Sequence, residues 1–80
     1  MPMNAFDDAL LQEINLLLKF PDTTLEGIKI HHDADPQLID AARRLHDKGL
    51  TTLPDGGYLT DLGREAVETA TLLRGLLTPL

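Results

Sequence analysis

The run Leu50-Thr51-Thr52-Leu53-Pro54-Asp55-Gly56-Gly57-Tyr58-Leu59-Thr60 constrains the fold more than any other part of the chain. Leu50–Leu53 and Tyr58–Thr60 are two short β-prone arms. Pro54-Asp55-Gly56-Gly57 between them supplies turn chemistry, with glycines free to take positive φ. A lone two-stranded hairpin is marginal in water, so it needs a third strand or covering helices. The rest of the chain offers both. Ile28-Lys29-Ile30 alternates, with β-branched residues at its apolar positions, and is expected beside the hairpin as a third strand.

Three segments carry helical periodicity. Over residues 36–48, Asp35 is a good N-cap and Pro36 suits the first helical position. Leu38, Ala41, Ala42 and Leu45 form the buried stripe, Lys48 lies in the last turn, and Gly49 is placed for the left-handed C′ position. Over residues 61–77, Thr60 is the cap and Leu62, Ala66, Ala70, Leu73 and Leu77 line one face. Gly63 inside this helix costs up to ~1 kcal/mol against Ala, a cost that close approach of another backbone would explain. Over residues 5–19, Asn4 is the expected cap and Asp7 and Asp8 fall in the first turn, where the helix dipole favours anions. Phe6, Leu10, Ile14 and Leu17 form its stripe, Leu11 and Leu18 widen it, and Pro21 stops it. Thr23–Glu26 reads as one helical turn ended by Gly27. The expectation is a single domain over residues 1–80, mainly α with a small three-stranded sheet.

Leu45-His46-Asp47-Lys48-Gly49-Leu50, followed by Pro54 to Tyr58 and then Leu59-Thr60-Asp61-Leu62-Gly63-Arg64-Glu65, resembles the second half of winged-helix transcription regulators of the marR-like type. The match covers about residues 37–70, in order of parts as well as in letters. The whole chain also resembles a short uncharacterised proteobacterial family whose members are often labelled DNA-binding by prediction. The resemblance implies a winged-helix-like domain with 36–48 as recognition helix. It implies weak, salt-sensitive contact with double-stranded DNA through Arg43, Arg44, Lys48 and Arg64.

Charge supports a competing reading. Net charge is −6, whereas proteins that neutralise phosphates normally carry a basic surplus. The hairpin tip Pro54–Gly57 holds no Arg or Lys, and Asp40 and Asp47 share the polar face of Arg43 and Arg44. On that face Asp40–Arg44 and Arg43–Asp47 are i, i+4 pairs that stabilise a solvated helix, and Arg64–Glu68 is another. These features suit an acidic winged-helix module that binds protein and not DNA.

Eighty residues without cysteine cannot rely on disulfides or thiolate metal sites, so a core this small needs tight packing or oligomerisation. The first and last helices have apolar arcs wider than a monomer's surface helix requires. One arc runs from Leu16 through Phe20 and Phe6 to Leu11; the other runs from Leu72 through Leu76 and Leu73 to Val67. The expectation is a homodimer through the terminal helices, burying Leu16, Phe20, Leu72 and Leu76. His31-His32-Asp33-Ala34-Asp35 with His46 matches no standard ligand spacing, so no metal or other cofactor is expected. There is no Ser-His-Asp, paired-carboxylate or phosphate-loop pattern, so no enzyme and no catalytic residue is expected. The start lacks a signal peptide's basic region, and no apolar run approaches bilayer length; the expected setting is cytoplasmic, with no membrane partner.

Overall fold

The computed structural model describes residues 5–21 and 27–79. Along these the order is α1 (Asp8–Leu17), β1 (Ile28–Lys29), α2 (Pro36–Asp47), β2 (Thr51–Leu53), β3 (Gly56–Leu59) and α3 (Asp61–Leu77). The fold is mainly α with a three-stranded antiparallel sheet of order β1-β3-β2, a winged-helix-like arrangement. The expected cap Asn4 and the expected turn Thr23–Glu26 lie outside the described residues.

Each helix begins where a side chain captures an orphan N–H. Asp7 Oδ1 accepts from Leu10 N–H at 2.9 Å, so α1 starts three residues later than its periodicity suggests. Asp35 accepts from Gln37 N–H at 2.8 Å, ahead of Pro36. Thr60 Oγ1 accepts from Gly63 N–H at 3.0 Å.

The C-terminus of α2 closes as a Schellman motif. Gly49 N–H donates to His46 C=O, Leu50 N–H donates to Leu45 C=O, and Gly49 takes φ 79°. This reversal drops Leu50 onto the core beside Leu45. Thr60 then ties three elements together: its hydroxyl donates to Gly49 C=O at 2.6 Å, and its N–H donates to Leu50 C=O. The α3 N-terminus is thereby drawn against the end of α2. A Cβ on Gly63 would overlap the Leu50 carbonyl oxygen, so the expected close backbone approach is the reason for a glycine inside this helix.

Ile28 sits opposite Gly57 and Lys29 opposite Gly56, which places the third strand beside the hairpin as expected. The second arm starts earlier than expected, at Gly56. Both glycines are strand residues with positive φ, in a hairpin whose register shifts between Thr51 and Leu53. The tight turn is left to Pro54 and Asp55.

The core comprises Leu16, Leu17, Phe20, Ala41, Ala42 and Leu45, with Ile28, Ile30, Leu38, Leu50, Leu59, Ala66 and Val67 packed around it. Leu16 is only 1% exposed and Phe20 only 5%. Both were expected at an interface between copies; both are interior to one chain, Leu16 because α1 lies along α2 with Leu16 and Leu17 against Ala41, Ala42 and Leu45.

Candidate functional site

Two surfaces were candidates from the sequence: the polar face of α2 and the apolar flank of the terminal helices. On the first, Glu13 of α1 dominates. It is 4% exposed and is the buried acid of the α1–α2 seam. Arg44 Nε donates to Glu13 Oε2 at 2.9 Å, and Lys48 Nζ donates to Glu13 Oε1. Arg44 also donates to the Ala9 carbonyl. A buried carboxylate is costly unless its lone pairs are satisfied by charge-assisted donors, and these cations supply them. The expected Asp40–Arg44 pair does not form; Arg44 reaches across to α1 instead.

Arg64 pairs with Asp61 one turn earlier, not with Glu68, and also donates to the Leu59 carbonyl. Of the four cations expected to meet DNA, Arg44, Lys48 and Arg64 hold internal ion pairs. Among the described residues Arg43 makes none and lies exposed between the exposed acids Asp40 and Asp47.

The hairpin tip is also engaged. Lys29 Nζ donates to Asp55 Oδ2 at 3.1 Å, and Ile30 N–H donates to Asp55 C=O at 2.7 Å. The hydrogen bond from Lys29 is the main reason the Asp55 carboxyl titrates below its ordinary 3.8; slight burial opposes it and the Lys29 charge reinforces it. The tip therefore presents a paired acid folded back on β1. His31 and His32 border a small depression with Ile39 and Asp55, while His46 lies beside Asp47 on α2. Among the described residues no three His or acidic side chains converge on a metal-sized space.

The second surface is an open groove of about 660 Å³ between α1 and α3. Leu17 is buried in it, and Ile14, Leu18, Ala66 and Ala70 are half-buried. Phe6, Leu11, Leu62, Leu73 and Leu77 stand exposed along its edges. Glu65 and Arg74 are its charged lining residues, nine positions apart on α3. Beyond Ala70 every described residue of α3 is exposed, Leu72 and Leu76 included, the latter at 76%.

Sequence reasoning placed these apolar residues on α1 and α3 but missed Glu13. The signal was present. At about 100° per residue Glu13 falls ~60° from Leu16, inside the apolar arc, where a lone carboxylate implies a cation reaching in from another element.

A family model matches residues 4–78. The chain belongs to DUF5669, a family of unknown function. No curated protein and no solved structure matches it. No helix among the described residues of this DUF5669 chain is long and apolar enough to cross a membrane.

Proposed function

We propose that this protein is a non-enzymatic, winged-helix-like association module that receives an amphipathic helix of a protein partner in the α1–α3 groove. The groove carries the reading: an apolar trough of about 660 Å³, edged by exposed Phe6, Leu11, Leu62, Leu73 and Leu77. Large contiguous apolar patches on small soluble domains mark interaction sites, and a trough between two helices is the form that accepts an apolar helix face. The opposite charges of Glu65 and Arg74 would orient such a helix along the trough. A cytoplasmic site of action belongs to the same proposal and accords with a cysteine-free chain.

A second reading, weak contact of α2 with duplex DNA, rests on exposed Arg43. It is the poorer one, since Arg44, Lys48 and Arg64 would each have to leave an internal acid to reach phosphate.

Affinity capture from native lysate, with and without nuclease, separates the two readings when wild type and Leu73→Asp run in parallel. Capture of a partner (a second copy included) should survive nuclease and be lost in the variant. Capture abolished by nuclease and untouched by Leu73→Asp would overturn the association reading. So would low-salt duplex binding whose salt slope falls by about one unit in Arg43→Ala.

A further inference from the structure

The groove needs a helix that is bulky and apolar on one side, and the C-terminal half of α3 presents such a face, left exposed by the described residues. Residues 70–77 of α3 place Leu72, Leu76, Leu73, Leu77 and Ala70 on a continuous arc of about 160°. Every one of them beyond Ala70 is exposed.

Two gradients run along α3. One is of size: past Leu62, the groove face of α3 runs from small Ala66, Thr69 and Ala70 to large Leu73 and Leu77, with Leu72 and Leu76 beside them. The other is of charge: Asp61, Glu65 and Glu68 against Arg64 leave the N-terminal half acidic, and Arg74 makes the C-terminal half basic. We infer that the groove's occupant is the C-terminal half of α3 from a second copy, the two α3 helices crossing antiparallel about a two-fold axis near Ala70. This rests on the association reading and names its partner.

Antiparallel crossing satisfies both gradients at once. Each leucine-rich end lies over the partner's small residues, and each basic half lies beside the partner's acidic half. Parallel alignment would set leucines on leucines and like charge on like. The contact is isologous, so both grooves fill and the assembly closes at two. A stable interface takes about 800 Å² from each partner, roughly an eighth of the 6034 Å² this chain exposes.

Sedimentation equilibrium of the full chain at tens of micromolar tests the dimer. Wild type should sediment at twice 8.8 kDa. Leu76→Asp, at a position outside the core, should keep its helical circular dichroism and raise the dissociation constant by about 30-fold or more, the loss of one of the leucines that fill the partner's groove. Because the chain has no cysteine, Thr69→Cys near the crossing should form a disulfide-linked dimer on mild oxidation, while Asp33→Cys in the loop before α2 should not. A monomer at these concentrations overturns the self-pairing. If nuclease-resistant capture is still lost in Leu73→Asp, the association reading survives with a different partner. A dimer that Leu76→Asp leaves intact and Thr69→Cys does not cross-link also overturns pairing through α3.

Discussion

Glu13 decides how α1 sits on α2. Its carboxylate is buried, and it is tolerable there only because Arg44 and Lys48 reach it. Glu13→Gln keeps the shape but removes the charge that both cations answer. It should cost about 1.5–3 kcal/mol, the range for a charge-assisted hydrogen bond, and nearer the low end because Arg44 and Lys48 keep partial access to water. Urea unfolding of wild type and variant measures it. Gly63→Ala tests the opposite kind of constraint. Helix propensity favours Ala by up to ~1 kcal/mol, yet the new Cβ would meet the Leu50 carbonyl. Overpacking against backbone should win, for a net loss of about 1–3 kcal/mol by the same measurement. At the hairpin tip, Lys29→Ala removes the hydrogen bond that holds the Asp55 carboxyl down, and NMR titration should show its pKa rising toward 3.8. A lowered folded-state value stabilises above the unfolded value. The contribution of this pair is therefore complete above pH 3.8 and fades as pH falls through the depressed value.

The junction of α2, the hairpin and α3 works as one element. Gly49 reverses the chain, Leu50 enters the core, and Thr60 bonds back to Gly49 while capping α3. Thr60→Val keeps the β-branch and removes the hydroxyl that serves both contacts. Loss of a cap alone is worth about 0.5–2 kcal/mol; losing the Gly49 contact as well should place this variant at the upper end, read from its thermal midpoint. Hydrogen exchange should show the first turn of α3 and the amide of Leu50 losing protection together. The same wiring explains why α2 and the hairpin were legible from the letters. Asp35-Pro36, Lys48-Gly49 and Pro54–Gly57 are local signals whose chemistry acts within a few residues of where it is read.

At the scale of the molecule, six of the described residues make up the buried apolar core, and α1 and α3 leave apolar side chains in water. Association through the α1–α3 face would link stability to concentration, since a partner that binds only the folded chain adds to its apparent stability. The wild-type thermal midpoint should therefore rise with protein concentration over the micromolar range, and that of Leu76→Asp should not. A midpoint independent of concentration in wild type would count against self-association in that range.

What the sequence determined by itself is what short-range chemistry controls. The helices after Asp35 and Thr60, the left-handed glycine at position 49, the hairpin, and a third strand expected over Ile28–Ile30, which the structure pairs over Ile28–Lys29, all follow from caps, turn residues and periodicity. The sequence also marked α1 and α3 as too apolar for their surroundings. It could not say which part of each arc faces inward. Only tertiary structure decided that Leu16 and Phe20 are core while Leu72 and Leu76 stand outside. Only tertiary structure took Arg44 and Lys48 from the face expected to meet DNA and committed them to Glu13. Those outcomes depend on partners 31 and 35 positions away in the chain, where periodicity carries no information and desolvation of a single carboxylate sets which cations are free.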